Sequence, residues 1–96
     1  MIEYLHTAIR ATKAEDVAIE AVITNEDGVL LTGKFHLGLY DNDNKIGEYA
    51  GVQQDGGAYR FTIPMAVTSG LNGRYFYCIC DNVHKNYCFK QPIYFI

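Results

Sequence analysis

The chain has 96 residues, which is enough for one small domain and too few for two domains that each bury a core. Hydrophobic residues make up 49% and charged residues 20%, as in a globular protein and unlike a disordered chain. The formal net charge is −3, and the lysines and arginines are scattered singly along the sequence, so we expect no nucleic-acid partner.

The sequence carries no signal for a membrane or for export. No apolar run approaches the roughly 20 residues that cross a bilayer. Residues 1–10 include a glutamate and a histidine where a signal peptide would be apolar. The three cysteines lie close together and are odd in number, unlike the disulfide framework of a secreted protein. We therefore expect no membrane partner and synthesis in a reducing cytoplasm.

Short alternating segments separated by turn residues dominate the chain, and no window has a long enough helical spacing to predict a helix. The first two clear strands are predicted at residues 17–24 and 34–40, each ending in a turn rich in Asn and Asp. Both place their apolar side chains on one face. These side chains are Val17, Ile19, Ala21 and Ile23 in the first strand, and Phe35, Leu37 and Leu39 in the second.

A weaker strand is predicted at residues 45–54, and another at 59–65, where Pro64 indicates that the strand ends or lies at a sheet edge. Residues 74–81 and 86–96 predict a final hairpin around residues 82–86, and if that hairpin pairs Asn82 with Asn86, Cys80 lies opposite Cys88.

At the other end of the chain, residues 2–9 predict one more strand, while residues 12–16 are compatible with a turn of helix. The total is about seven strands at regular spacing. The sequence thus predicts one all-β domain over residues 1–96, an immunoglobulin-like antiparallel β-sandwich.

The last predicted strand has bulky side chains on both faces and therefore needs cover on both. One cover is the core of the domain. The second is either a neighbouring protein, such as another copy of the chain, or a loop of the same domain. We therefore predict a protein interface at Tyr87, Phe89, Ile93, Tyr94, Phe95 and Ile96.

Cys78, Cys80, His84 and Cys88 are residue types that bind zinc. Cys78 and Cys80 are separated by about 6.6 Å along a strand, however, whereas structural zinc sites draw their ligands from closely turned knuckles. Buried thiols are the favoured interpretation. A bridge between Cys80 and Cys88 is an alternative if the predicted hairpin register holds.

No other pattern predicts chemistry. Asp41 and Asp43 resemble the start of a calcium loop, but the glycine is one position late, so a hairpin turn is favoured. The single serine, Ser69, lies in a turn, the three histidines lie in separate segments, and the glycines form no phosphate-binding motif. We predict no metal, no cofactor and no enzymatic activity.

A series of short motifs resembles small virion structural proteins of tailed bacteriophages, including the N-terminal domains of baseplate upper proteins. The motifs are Glu15-Asp16 before Val17, Asp27-Gly28, Leu31-Thr32-Gly33 and Gly73-Arg74-Tyr75-Phe76-Tyr77. The resemblance implies a tail, baseplate, connector or capsid-decorating component of a virion that assembles in the host bacterial cytoplasm. It implies other virion proteins or copies of the same chain as partners, a homo-oligomer in the assembled particle, and no active site.

An alternative hypothesis is an immunoglobulin-like binding module for carbohydrate. Exposed tyrosines such as Tyr40, Tyr49 or Tyr94 would then stack against sugar rings. The absence of tryptophan, the strongest stacking residue, counts against this hypothesis.

Overall fold

The computed structural model describes residues 2–4, 9–12, 14–81 and 90–96. It confirms an all-β protein, with one short helical turn within these ranges, α1 (Met65–Thr68). The eight strands are β1 (Ile2–Tyr4), β2 (Ile9–Ala11), β3 (Val17–Ile23), β4 (Phe35–Asp41), β5 (Asn44–Gln53), β6 (Tyr59–Ile63), β7 (Gly73–Asp81) and β8 (Gln91–Phe95).

The hydrogen-bonded order of the strands is β1-β3-β6-β5-β4-β7-β8-β2. All neighbours are antiparallel except β2 and β8, which are parallel. Strand β5 joins the two halves of this order, because residues 44–50 pair with β4 and residues 51–53 pair with β6. The sheet curves almost into a barrel. The first and last strands of its order, β1 and β2, are consecutive in the sequence.

The core lies between the two halves. Strands β3, β4 and β6 alternate between buried and more exposed residues, since successive side chains of a strand point to opposite faces. The buried side chains of these strands are Ile19, Ala21, Ile23, Phe35, Leu37, Leu39, Tyr59, Phe61 and Ile63. The alternation predicted for residues 17–24 and 34–40 is confirmed.

The N-terminal segment differs from the prediction, because it contains two strands instead of one. Strand β1 pairs with β3 in one half, and β2 pairs with β8 in the other. A chain that crosses between the halves cannot continue as one straight strand. The helical turn considered for residues 12–16 does not include Ala14, since Ala14 has φ 67° and cannot belong to a right-handed helix.

Strand β6 ends at Ile63, directly before Pro64, as predicted. Met65, which was predicted to belong to this strand, belongs to α1 and is 54% exposed.

The connection between β2 and β3 holds α1 in place. The Met65 N–H donates a hydrogen bond to Asp16 Oδ1 at 2.7 Å, and the buried Thr68 hydroxyl donates one to the Glu15 carbonyl oxygen at 2.7 Å.

The turn predicted after β4 is confirmed. Asp41 pairs with Asn44, and Asn42 takes the left-handed conformation, with φ 55°, that asparagine tolerates well. Strands β7 and β8 form the predicted final hairpin where it is described, and their register matches the one considered for a Cys80–Cys88 bridge. Pairing Asn82 with Asn86 requires residue 77 to lie opposite residue 91, and Tyr77 pairs with Gln91.

Candidate protein-interaction surface

The C-terminal strand divides its side chains between the core and the surface. Ile93 and Phe95 are fully buried, so their side chains pack within the domain and are not available to a partner. Tyr94 and Ile96, on the other face, are 37% and 63% exposed. The predicted interface residues Tyr87 and Phe89 lie outside the described residues, and their role stays a prediction.

The pairing of β7, β8 and β2 places two arginines beside this exposed part of β8. Tyr94 is paired with Arg74 on one side and with Arg10 on the other. Ile96 follows two residues after Tyr94 on the same face, and its N–H donates a hydrogen bond to the Ala11 carbonyl oxygen at 3.0 Å. We call the exposed side chains Arg10, Arg74, Tyr94 and Ile96 the arginine patch.

The charges of the arginine patch are not neutralised by ion pairs. Within the described part of the chain, no carboxylate lies within 4.0 Å of either guanidinium group, whereas Arg60 lies 3.8 Å from Glu20. The Arg74 guanidinium carbon is 5.3 Å from the centre of the Phe76 ring, within cation–π distance. Arginine and tyrosine beside exposed apolar side chains are typical of protein interfaces.

A second cluster lies next to the arginine patch, around Lys90. The Lys90 ammonium is 4.2 Å from the centre of the Tyr40 ring, 3.3 Å from the Asn42 carbonyl oxygen and 3.5 Å from Asp43 Oδ1. Asn42, Asp43, Phe76 and Lys90 line an open basin of about 270 Å³. This basin offers an aromatic ring together with polar groups, and it is large enough for a small polar ligand.

The three tyrosines considered for stacking against sugar rings have different surroundings. Tyr40 already has a cation over its ring. Tyr49 is half-buried, its ring lies over Gly47, and burial raises the pKa of its hydroxyl. Tyr94 belongs to the arginine patch and is the most accessible of the three.

Glu48 lies between Lys45 and His36 on strands β4 and β5. It accepts a hydrogen bond from the Lys45 ammonium, which lowers the pKa of Glu48 and raises that of Lys45. Its Oε1 is 3.8 Å from Nδ1 of His36, and this buried nitrogen has no hydrogen-bond partner. Lys45 and Glu48 thus form a local charge pair beside the His36 imidazole.

The chemistry considered for the cysteines remains a prediction. Cys78 is buried and Cys80 is half-buried, while His84 and Cys88 lie outside the described residues. Across the described ranges, no group of three His, Cys, Asp or Glu side chains is arranged to hold a metal ion. No helix within those ranges has the length and apolar character needed to span a membrane.

The sequence did not reveal the two arginines as functional residues. They are 64 positions apart, and only the parallel pairing of β2 with β8 brings Arg10 next to Tyr94. Parallel strands need long connections, so their pairing leaves no local signal in the sequence. For Arg74 the sequence did contain a weak signal. The alternation of residues 74–81 places Arg74 on the face of the strand that points away from the buried Tyr77 and Ile79.

No protein-family model and no curated protein matches the chain. Among solved structures, the fold is similar to the crystal structure of the S-layer protein SbsC domains 4 and 5, with a TM-score of 0.65 and 14% sequence identity. The match covers 100% of this chain and 51% of that structure, so the chain spans about half its length. At this identity the similarity shows a shared fold.

Proposed function

We propose that this chain is a structural assembly domain that acts through protein–protein contacts and not as an enzyme. The arginine patch carries the proposal, because it combines two arginines that have no ion-pair partner among the described residues with exposed Tyr94 and Ile96 on one sheet face. Exposed apolar groups beside unpaired charges gain free energy when a complementary protein surface covers them.

The resemblance to virion proteins supplies a setting for this role. We propose a component of a bacteriophage particle, assembled in the host cytoplasm, with other virion proteins or copies of itself as partners. The similar solved structure is that of two domains of an S-layer protein, and this chain has the length of about one of them. That similarity supports use of the fold as a building unit.

The finer fold assignment within this proposal is an immunoglobulin-like sandwich. The constant-type immunoglobulin arrangement places strands A, B, E and D in one sheet and C, F and G in the other. The order β1-β3-β6-β5 followed by β4-β7-β8 is equivalent to that arrangement, with β5 shared between the sheets. The position of β2 beside β8 supports a first strand divided between the two sheets.

Photo-crosslinking tests the assembly role directly. A benzoyl-phenylalanine probe replaces Tyr94 in the organism that produces the protein, and a matched probe replaces Thr62, which is exposed on the other half of the domain. We expect protein adducts from position 94, and their loss when Arg10 and Arg74 are changed to alanine. Equal labelling at both positions, or none at position 94, would contradict the proposal.

The basin beside Lys90 favours the carbohydrate-binding module as a second candidate function. Phe76 offers a ring for stacking, and Asn42 and Asp43 offer hydrogen-bonding groups at the rim. A glycan array would detect such binding. The module predicts that Phe76→Ala or Asp43→Ala abolishes the signal while Arg10→Ala retains it, and an array without any signal rejects it.

A further inference from the structure

We infer that the arginine patch of one copy binds the opposite, acidic end of a second copy, so that copies of the chain join head to tail. The inference rests on the proposed assembly role and deepens it by naming the partner. Two surfaces of the same molecule carry charges of opposite sign that have no ion-pair partner within the described ranges, and each surface also has exposed apolar side chains.

The acidic surface is formed by the loops that follow β3 and β5. The exposed side chains Glu26, Asp27, Val29, Leu30 and Asp55 make up this surface, which we call the acidic end. Its three carboxylates have no ion-pair partner among the described residues. Val29 and Leu30 are 58% and 44% exposed.

Specific contacts order the acidic end, one of them between its two loops and the others within the loop that follows β3. The Leu30 side chain lies against Gly57, so closely that a methyl group at position 57 would be 2.5 Å from Leu30 Cδ1. The Asn25 side chain accepts hydrogen bonds from the Asp27 and Val29 N–H groups at 2.9 and 3.0 Å. The surface is therefore ordered before a partner binds, which lowers the entropic cost of association.

The arginine patch and the acidic end lie at opposite ends of the strands. Ala21 and Gln53 both pair with Tyr59 near the acidic end, whereas Gly73 pairs with Phe95 near the patch. Strands β4 and β7, of seven and nine residues, run between the two ends. At about 3.3 Å per residue they separate the ends by roughly 20–30 Å.

This separation prevents a copy from neutralising its own charges. Exposed charges are screened beyond about 8 Å at physiological ionic strength, so the arginines of one copy do not interact with its own acidic end. A second copy brings the two surfaces together. Because the contact joins different surfaces of identical chains, it is heterologous and can be repeated from copy to copy. Lys34 also lies at the acidic end, leaving an excess of negative charge there among the described residues.

Sedimentation velocity on the full chain, over a range of protein and salt concentrations, tests this contact. We expect wild-type protein to form larger species as its concentration rises, with at least tenfold weaker association in high salt. One variant reverses the patch with Arg10→Glu and Arg74→Glu, and a second reverses the acidic end with Asp27→Lys and Asp55→Lys. Each variant alone should remain a monomer, with circular dichroism confirming that it is folded.

The mixture of the two variants gives the decisive result. Each variant alone presents two surfaces of the same sign, whereas the mixture again brings surfaces of opposite sign together, so the mixture should associate where neither variant does alone. Arg60→Glu is the matched control, because it reverses one exposed charge that belongs to neither surface, and it should associate like wild type. Association of either double variant at wild-type strength, or a mixture that stays monomeric, would overturn the head-to-tail contact.

The outcome also separates this inference from the proposed function. Wild-type protein that stays monomeric at all concentrations, while the probe at position 94 still gives adducts with a different protein, would overturn the copy-to-copy contact and retain the assembly role. Adducts that link position 94 to residues 25–30 of another copy would support both. Monomeric protein without any adduct at position 94 would overturn both.

Discussion

Replacing Gly51 with alanine tests the point at which β5 passes from one half of the domain to the other. Gly51 is paired with Phe61, whose fully buried ring lies across it. A Cβ at position 51 would be 2.5 Å from Phe61 Cε1 and 2.9 Å from Cζ, too close for any real contact. The ring is surrounded by core side chains, so the added methyl group must displace part of the core.

The magnitude follows from two opposing terms. Overpacking a core costs about 1–3 kcal/mol, while replacing glycine stabilises by about 0.4–1 kcal/mol because it restricts the unfolded chain. We therefore expect Gly51→Ala to lower the free energy of unfolding by about 1–2 kcal/mol. For a domain of this length, the loss corresponds to a fall in Tm of roughly 4–16 °C.

Urea unfolding followed by far-ultraviolet circular dichroism measures the effect, since the chain contains no tryptophan. Gly56→Ala is the matched control, because a Cβ at position 56 meets no atom within 4 Å. It should leave stability unchanged or raise it slightly. Equal midpoints for Gly51→Ala and Gly56→Ala would refute the close packing of Phe61 against β5.

Three further changes follow from contacts described above. Thr68→Val removes the buried hydroxyl bond to the Glu15 carbonyl oxygen and should lower the free energy of unfolding by about 1–3 kcal/mol in urea titrations. Glu48→Gln should cost at most about 1 kcal/mol at pH 7, because the pair is exposed. The hydrogen bond from Lys45 lowers the pKa of Glu48. The stability difference between wild type and Glu48→Gln should therefore shrink as the pH falls below the ordinary glutamate value of 4.5 and vanish below the lowered pKa. A pH series of unfolding curves measures this difference. Ile93→Ala should cost about 2–5 kcal/mol and Ile96→Ala less than about 0.5 kcal/mol, because Ile93 is buried and Ile96 is exposed; similar losses would contradict the division of the C-terminal strand.

The interior strands were predictable because their information is local. Alternation in residues 17–24 and 34–40 identified the buried faces correctly, since each strand has one face on the core. The turn after β4 was predictable from its Asn and Asp residues for a similar reason. Pro64 likewise fixed the end of β6, because proline lacks the N–H that a continuing strand would need.

The candidate surface was only partly predictable. The sequence pointed to the C-terminal strand, and Tyr94 and Ile96 are indeed at the surface, but it did not distinguish them from the buried Ile93 and Phe95. A strand that is apolar on both faces does not indicate which face the core covers. The pairing of β8 with β7 and β2 decides that question.

The sequence by itself therefore determined the all-β class, the main strands, their turns and the final hairpin, which depend on neighbours a few residues apart. The tertiary structure alone decided that the N-terminal segment divides into β1 and β2, that β5 serves both halves, and that Arg10 and Arg74 flank Tyr94. These features join residues that are distant in sequence. Their positions depend on how the sheet curves around its core, a property of the whole chain that no short segment encodes.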